Sequence, residues 1–152
     1  MFDKERFLTE SGFSELPDWN KDGKYPLPIF TDAIARIVYY GKVNPRTGIY
    51  SGGHGYGILP GGDGKQKHTE FPPDWDIEVV RQAFYALLYC QPLHIENHII
   101  IRKSFRGVLL HLEFSTRALS IEDNIHFYPK KGPKVRAWHR GRQIRVSQKR
   151  QK

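Results

Sequence analysis

The spacing of apolar residues changes at Pro92, and this change constrains the fold more than any other feature of the sequence. Before Pro92, apolar residues recur every three or four positions between Ile77 and Leu88, as they do on the buried face of a helix. Asp74 is a suitable N-cap, and proline prevents a helix from continuing. The sequence therefore predicts a helix over residues 75–89.

After Pro92 the sequence has the pattern of strands. Runs rich in β-branched, leucine and aromatic residues are joined by short polar connectors. These runs are residues 98–102, 107–114 and 119–128, and a basic hairpin over 134–139 and 143–146 follows them. Helical patterns followed by a series of strands are typical of an α+β fold, so we expect N-terminal helices followed by a mainly antiparallel, twisted sheet.

The chain divides into three segments. Residues 1–30 hold a short charged helix and a proline-containing linker arm, residues 31–129 hold most of the patterned helices and strands, and residues 130–152 form a basic extension. Within the second segment, Thr31 and Gly41 are suited to cap the two ends of a helix. A length of 152 residues fits one domain with a single core.

Basic charge is concentrated at the C-terminal end. Ten of the 24 Lys and Arg residues lie in residues 130–152, which contain no Asp or Glu. The other 14 are set against 16 acidic residues, so the body of the chain is slightly negative. A tail of this kind contacts a polyanion or an acidic partner protein, or it is a solvated domain end.

The composition argues against several classes of protein. The single Cys90 cannot form an internal disulfide, and its place at the end of the predicted helix favours a buried thiol. No run approaches the roughly 18 apolar residues that span a bilayer, and the charged N-terminus has no apolar export signal. We expect a chain without a membrane-spanning segment that, if secreted, is carried by something larger.

Two histidines lie on and near a glycine-rich segment. His54 is within Gly52-Gly53-His54-Gly55-Tyr56-Gly57, and His68 follows fourteen positions later. Glycines allow the backbone to turn sharply and to lie directly against a large ligand. Histidine has an ordinary pKa of about 6.5, so one copy can accept a proton while another donates near neutral pH. This combination favours an acid/base pair, although exposed bystander histidines are the alternative.

Other kinds of site fit the sequence less well. His94 and His98 are four residues apart, but a strand follows Pro92, and in an extended chain that spacing is roughly 13 Å, too far for one metal ion. No Gly-x-Ser-x-Gly elbow is present, and the glycines match neither phosphate-binding pattern. These observations argue against a zinc site, a serine nucleophile and a nucleotide cofactor.

A set of motifs between residues 45 and 130 resembles the bacterial branch of the EndoU endoribonuclease family. The motifs are Gly52-Gly53-His54, His68, Phe71-Pro72 before a helix, Gly107-Val108 in a strand, and Phe127-Tyr128-Pro129. The resemblance implies an α+β nuclease domain whose sheet forms the RNA cleft. One histidine would take the proton of a ribose 2′-hydroxyl, which attacks the adjacent phosphorus, and the other would protonate the leaving 5′-oxygen.

The products implied are a 2′,3′-cyclic phosphate and a 5′-hydroxyl. The resemblance makes His54 and His68 catalytic without deciding which is the acid and which the base. It implies no certain cofactor and no metal-ligand set, and the cleavage is either independent of metal or dependent on a divalent cation, Mn or Mg. Each well-placed acid or base contributes roughly 10²–10⁴ in rate, in agreement with this chemistry.

The resemblance also implies a cation near the phosphate oxygens. In the family this is a lysine beyond the second histidine, which places it at Lys103. A solvated lysine at the end of a strand is an equally good interpretation of Lys103. The alternative cations are Arg102, Arg106, Lys65 and Lys67.

Five further residues, Arg102 among them, are expected to contact substrate. Gly53 would let the sugar–phosphate backbone approach, and Tyr128 corresponds to the aromatic residue that packs on ribose or base. His126 stands where the bacterial branch usually has a threonine, so it either contacts a base edge or phosphate or is a replacement on the sheet surface. Trp138 lies among basic residues, where stacking combined with phosphate pairing is expected.

The resemblance finally implies a biological setting. Domains of this type occur at the C-terminal tips of polymorphic and contact-dependent inhibition toxins, which are secreted by bacteria and act in the cytoplasm of a target cell. The expected partners are an RNA substrate, with tRNA as one candidate, and a cognate acidic immunity protein. The residues alone leave two alternatives, which are a non-catalytic basic nucleic-acid-binding module and an interaction domain for an acidic protein.

Overall fold

A computed structural model describes residues 3–43, 45–46, 50–56, 67–117, 124–130 and 134–136, with backbone only at 42–43, 50–52, 67–68 and 134–136. The helices in this part of the chain are α1 (Lys4–Ser11), α2 (Asp32–Tyr40) and α3 (Ile77–Leu88), with one 3-10 turn at Asp18–Asn20. The strands are β1 (Gly41–Val43), β2 (Tyr50–Gly52), β3 (Lys67–Thr69), β4 (His94–Ile95), β5 (His98–Phe105), β6 (Val108–Ser115), β7 (His126–Pro129) and β8 (Lys134–Arg136).

The strands form one larger sheet and two ribbons. Strands β4, β5, β6 and β7 are neighbours in that order, and each pair is antiparallel. Strands β1 and β2 form one antiparallel ribbon, and β3 pairs with β8 in the other. The predicted α+β fold, with helices N-terminal to an antiparallel sheet, is confirmed.

The two faces of the four-stranded sheet differ in chemistry because side chains alternate along each strand. One face is apolar and belongs to the core, where the ring of Phe127 on β7 packs edge-on against Phe84 of α3 with centroids 5.4 Å apart. This core face carries Ile99, Ile101, Leu110, Leu112, Phe114 and Phe127. The opposite face, here called the polar face, carries His98, Arg102, His111, Glu113, His126 and Tyr128.

Helix α3 begins two residues later than the sequence predicts. The carboxylate of Asp76, not that of Asp74, accepts a hydrogen bond of 3.0 Å from the amide of Val79. Trp75 lies before the helix and is buried, whereas Ile77 is 41% exposed and does not belong to the buried stripe. An aspartate caps a helix when the backbone amide three residues after it donates to its carboxylate. On local pattern alone, Asp74 and Asp76 are both suitable.

Helix α2 has the ends that its sequence predicts. The hydroxyl of Thr31 accepts a hydrogen bond of 3.2 Å from the amide of Ile34 and caps the first turn. Gly41 ends the helix with φ +97° and is also the first residue of β1. The chain therefore reverses at Gly41 and enters the β1–β2 ribbon without a linker, which brings β2 and the following His54 back beside the helix end.

The segment of residues 3–30 packs on the same core as the helices and the four-stranded sheet. Phe7, Leu16 and Leu27 are buried in it. The indole of Trp19 donates a hydrogen bond of 2.8 Å to the carbonyl of Leu88 at the end of α3. Since these contacts join the linker arm to α3, the arm is part of the folded body within the described residues.

Two of the predicted strands differ from the structure. In the run predicted over 119–128, strand β7 occupies His126–Pro129, and residues 118–123 lie outside the described part. In the predicted terminal hairpin, β8 pairs with β3, and residues 143–146 are not among those described. A hairpin partner is the nearest one in sequence, but paired residues of β3 and β8, such as Thr69 and Lys134, are 65 or more positions apart, and such a pairing cannot be inferred from local pattern.

Cys90 is half-buried, and its thiol donates to the carbonyl of Ala86 one turn back along α3 at 3.5 Å. None of the described helices has the length and apolar character that crossing a bilayer requires.

Candidate active site

His54 is held at three points between α2 and β3. Its amide donates to the carbonyl of Val38 at 3.0 Å, and its carbonyl accepts from the amide of Phe71 at 2.7 Å. Its imidazole Nδ1 lies 2.6 Å from the carbonyl oxygen of Thr69. A carbonyl can only accept, so Nδ1 carries the hydrogen, and in the neutral ring Nε2 is the unprotonated nitrogen. This is the tautomer that a general base requires.

The glycines on either side of His54 allow the segment to lie against the end of α2. A side-chain carbon built on Gly53 falls within 3.0 Å of the backbone of Tyr40, and one built on Gly55 meets the ring of Tyr39. Both glycines are buried. The close approach that needs glycine at these positions is therefore to the protein's own helix.

The pKa of the His54 imidazole is lowered from its ordinary value. Burial disfavours the charged ring and is the largest cause, and the positive charge of His126 acts in the same direction. The hydrogen bond to Thr69 opposes both effects without cancelling them. His54 is therefore neutral, and able to accept a proton, below the pH at which an ordinary histidine becomes charged.

Tyr128 joins His54 to the polar face of the sheet. Its ring stacks with that of His54 at a centroid distance of 5.1 Å and with that of His111 at 5.0 Å. His111 is the register partner of Tyr128 on β6. Thr69, whose carbonyl holds His54, also donates its hydroxyl hydrogen to the carbonyl of Pro129, the residue after Tyr128 on β7. Tyr128 is thus packed by two imidazoles of its own chain, where a substrate base or ribose was expected to stack.

A chain of polar contacts continues from His111 across the sheet. The guanidinium Nε of Arg102 donates to Nδ1 of His111 at 2.9 Å, and Nε2 of His111 lies 3.2 Å from Oε1 of Glu113. Because Nδ1 accepts from arginine, Nε2 must carry the hydrogen and donate to the carboxylate. Nδ1 of His98 lies 3.2 Å from Oε2 of Glu113, within ion-pair distance but without hydrogen-bond geometry.

Burial is the largest influence on the pKa values of His111 and Glu113, but at Glu113 other effects outweigh it. Burial lowers the pKa of His111, and the hydrogen bond to Glu113 opposes this lowering. Burial by itself would raise the pKa of Glu113, but the hydrogen bond from His111 and the nearby charges of His126 and His98 outweigh it, so that pKa is lowered. Glu113 is therefore an anion beside a neutral His111.

The structure brings some of the predicted site residues together. Arg102, His126 and Tyr128 share the polar face, and His54 is stacked on Tyr128. The backbone of His68 lies in β3 directly before Thr69, whose carbonyl holds His54, while the His68 side chain is outside the described part. Trp138 and Lys65 lie outside the described residues, as does the side chain of Lys67.

Lys103 is not brought to this group. It pairs in register with Leu110, a buried residue of the core face, whereas its neighbour Arg102 pairs with His111 on the polar face. The charge of Lys103 also acts on Cys90 at the end of α3, where it opposes the rise in thiol pKa caused by burial. Arg106, another alternative, lies in the β5–β6 turn with φ +50° and donates to Gln82.

His111 and Glu113 belong to this group but were not predicted as site residues from the sequence. Both alternate with Leu110, Leu112 and Phe114, which is the period of two that places polar side chains on one face of a strand. That signal could have identified them as residents of one face. Their neighbours across the sheet depend on strand register, which the pattern of one strand does not determine.

The described residues contain no group of three or more His, Cys, Asp or Glu side chains arranged to hold a metal ion. The nearest approach to one is Glu113 with His98 and His111. His111 uses Nδ1 to accept from Arg102 and Nε2 to donate to Glu113, so neither nitrogen is available as a ligand. Among the described side chains, therefore, none are arranged to hold the divalent cation that the resemblance allows.

Comparison with known proteins gives no match, either among protein-family models, among curated proteins or among solved structures.

Proposed function

We propose that this protein is an endoribonuclease that cleaves RNA by attack of the ribose 2′-hydroxyl, leaving a 2′,3′-cyclic phosphate and a 5′-hydroxyl. The observation that carries the proposal is the hydrogen bond from His54 Nδ1 to the Thr69 carbonyl, which prepares Nε2 to accept a proton. The cationic and hydrogen-bonding side chains beside it on the polar face support a phosphate-containing substrate.

In this mechanism His54 is the general base. Its lowered pKa keeps the ring neutral near pH 7, so it can take the 2′-hydroxyl proton as the oxygen attacks phosphorus. His68, one residue before the carbonyl that holds His54, is the general acid that protonates the leaving 5′-oxygen. The proton balance closes when His68 regains a proton from water and His54 releases its own.

The resemblance to toxin domains leads us to propose a biological setting as well. The domain acts as a toxin delivered by a larger secreted bacterial protein into the cytoplasm of a target cell, where RNA, with tRNA as one candidate, is cut. A cognate immunity protein with an acidic contact surface neutralises it in the producing cell. Complementary charge speeds capture of a basic protein, in agreement with the ten basic residues of segment 130–152.

The test is incubation of the full chain with total tRNA and ribosomal RNA, followed by mapping of the new ends and their phosphate state. Cyclic phosphates and 5′-hydroxyls are expected. His54→Asn is the sharpest variant because the asparagine amide keeps a donor for the Thr69 carbonyl while removing Nε2. His68→Ala tests the acid, and Arg36→Gln, which removes an exposed side chain of α2 and leaves the polar face unchanged, is the control.

The expected loss is roughly 10²–10⁴ in rate for His54→Asn and for His68→Ala, with Arg36→Gln close to the parent chain. Folding of each variant is checked by circular dichroism. Full activity in His54→Asn would overturn the assignment of the base. Salt-sensitive binding of RNA without any new ends would favour a non-catalytic nucleic-acid-binding module, and no RNA binding would favour an interaction domain.

A further inference from the structure

We propose that Arg102 binds a phosphate group of the nucleic-acid backbone, and that His111 and Glu113 are positioning residues that hold its guanidinium for this purpose. The inference rests on the proposed function for the identity of its substrate. It assigns to Arg102 the cation that the resemblance to EndoU enzymes implies at Lys103.

The guanidinium of Arg102 is anchored at one nitrogen and presented at the others. Nε donates to Nδ1 of His111 at 2.9 Å, and the side chain is exposed. Among the described residues, His111 is the hydrogen-bond partner of this guanidinium. Arginine carries its five donors in a rigid planar fork, so anchoring Nε fixes the direction of the two terminal amino groups, which can donate to two oxygens of one phosphate.

His111 is an acceptor that leaves the arginine charge in place. Arginine is commonly held by a carboxylate, which neutralises it, whereas a neutral imidazole accepts the same hydrogen bond and leaves a full positive charge at the surface. His111 is 4% exposed, and its burial favours the neutral ring. A protonated His111 could not accept from Arg102, so the arrangement requires the neutral form.

Glu113 selects the tautomer of His111 that this arrangement needs. By accepting from Nε2 at 3.2 Å, the carboxylate keeps the hydrogen on that nitrogen and the lone pair on Nδ1. Glu113 lies on β6 two residues from His111, on the same face, and its other oxygen faces Nδ1 of His98. Such ordering of one polar side chain by the next is how a site holds a ligand-binding group in one direction.

The position of Arg102 suits a phosphate next to His54. Arg102, His111 and Tyr128 are successive register partners on β5, β6 and β7, and the Tyr128 ring stacks on His54. Neighbouring strands lie about 4.8 Å apart. Arg102 and Tyr128 are two strands apart, so their Cα atoms are separated by roughly 10 Å. The long arginine side chain covers part of that distance. Lys130, which follows β7, adds positive charge that acts on His111.

The first test measures binding separately from cleavage. The ligand is a fluorescently labelled single-stranded DNA, which lacks the 2′-hydroxyl and is not cut, and anisotropy is measured over a range of salt. Arg102→Gln is expected to weaken binding about 10- to 100-fold, as for loss of a hydrogen bond to a charged group. The slope of log affinity against log salt should fall in magnitude by about 0.7, the value for one phosphate contact on a single strand.

Two comparison variants locate the effect. Lys103→Gln removes the same charge one residue along β5, on the core face, and Arg36→Gln removes an exposed arginine from α2. Both are expected to bind within about twofold of the parent chain, since neither touches the polar face. The proposal is overturned if the parent chain does not bind, if Arg102→Gln binds like Arg36→Gln, or if Lys103→Gln shows the larger loss.

The second test separates positioning from a merely structural role. His111→Asn keeps a side-chain oxygen near the place of Nδ1 that can accept from Arg102, whereas His111→Leu removes the acceptor. His111→Leu is expected to weaken DNA binding nearly as much as Arg102→Gln, and His111→Asn to restore most of it. The double variant Arg102→Gln/His111→Leu should bind no more weakly than Arg102→Gln alone. Independent, additive losses would overturn the positioning role.

Cleavage assays with the same variants keep this inference distinct from the proposed function. Arg102→Gln is expected to lower kcat about 10²–10³-fold, as for loss of one donor that stabilises charge in the transition state. If the parent chain cuts no RNA but binds DNA in an Arg102-dependent way, the endoribonuclease proposal fails and the phosphate site stands. If it cuts RNA and Arg102→Gln cuts equally well, the phosphate site fails alone.

Discussion

The carbonyl oxygen of Thr69 lies 2.6 Å from Nδ1 of His54, so one backbone atom of β3 determines both the tautomer and the direction of the histidine ring. The hydroxyl of the same Thr69 donates to the carbonyl of Pro129 on β7. His54 is thereby tied to the edge of the four-stranded sheet through a single buried residue. The segment that carries His54 and the sheet that carries Arg102 are held as one site.

The pH dependence of cleavage should report the state of His54. Because burial and His126 lower its pKa, the acid limb of kcat/KM is expected below pH 6.5, where a lower pH charges the ring and removes the base. His126→Asn removes the positive charge that contributes to this lowering. The acid limb should then move to higher pH, whatever the change in maximal rate. A limb that stays in place, or moves to lower pH, would contradict the coupling of the two histidines.

The stability of the fold should decrease in mildly acidic solution. His54 and His111 both have lowered pKa values, so the unfolded chain binds protons near pH 6.5 that the folded chain binds only at lower pH. Their contribution to stability is complete above pH 6.5 and is lost as pH falls from 6.5 toward the lowered values. Glu113, also with a lowered pKa, adds a loss in the same direction at more acidic pH, below about 4.5.

Urea unfolding of the parent chain and of His111→Asn at pH values from 7.5 to 5 measures this effect. The slope in question is that of the free energy of unfolding against pH. Each proton that is no longer taken up on unfolding reduces it by at most about 1.4 kcal/mol per pH unit. His111→Asn should therefore have a shallower slope than the parent chain. His94→Asn, an exposed histidine of β4, controls for the loss of a histidine as such. Equal slopes in the parent chain and His111→Asn would show that folding does not lower the pKa of His111 and would contradict this prediction.

The elements that rest on local chemistry were predictable from the sequence. Thr31 and Gly41 carry the signals for both ends of α2, and the change of period at Pro92 separates α3 from the sheet. The start of α3 was wrong by two residues because Asp74 and Asp76 are equally good caps on local grounds. His54 was found because glycines flank it, although those glycines accommodate Tyr39 and Tyr40 of the protein itself.

The register between strands could not be predicted from the sequence. The polar face exists because β5, β6 and β7 are aligned so that Arg102 meets His111 and Glu113 meets His126. A shift by one residue in any of these strands would exchange the core and polar faces. The same limit explains the cation, since Arg102 and Lys103 are neighbours on β5 and point to opposite faces, and the pairing of β5 with β6 decides which of them shares a face with His111.

Replacement of Tyr128 should separate packing from substrate stacking. Tyr128→Phe keeps the ring that stacks on His54 and His111, so its stability should stay within about 0.5 kcal/mol of the parent chain. Tyr128→Leu loses two aromatic pairs worth about 0.5–1.5 kcal/mol each and should be about 1–3 kcal/mol less stable, with slower cleavage because His54 loses its support. If Tyr128→Leu weakened RNA binding and left stability unchanged, the ring would instead be a platform for the substrate.

Alanine replacements of the glycines should rank by what their new side chain meets. At Gly53 the added carbon meets the backbone of Tyr40, which cannot move without displacing the end of α2, so Gly53→Ala should cost at least the 1–3 kcal/mol typical of overpacking. At Gly55 it meets the Tyr39 ring, a side chain and not backbone, so the cost should be smaller than at Gly53. At Gly107 it meets open space, and φ +79° alone should cost about 1–2 kcal/mol.

Urea unfolding of the three variants tests this order, with the free energy of unfolding of the parent chain as reference. RNA cleavage measured on the same preparations gives a second, independent result. Because the segment from Gly53 to Gly55 determines where the His54 backbone lies, Gly53→Ala should also lower cleavage, whereas Gly107→Ala in the β5–β6 turn should not. A stable Gly53→Ala variant with reduced RNA binding would return Gly53 to the role of a substrate contact.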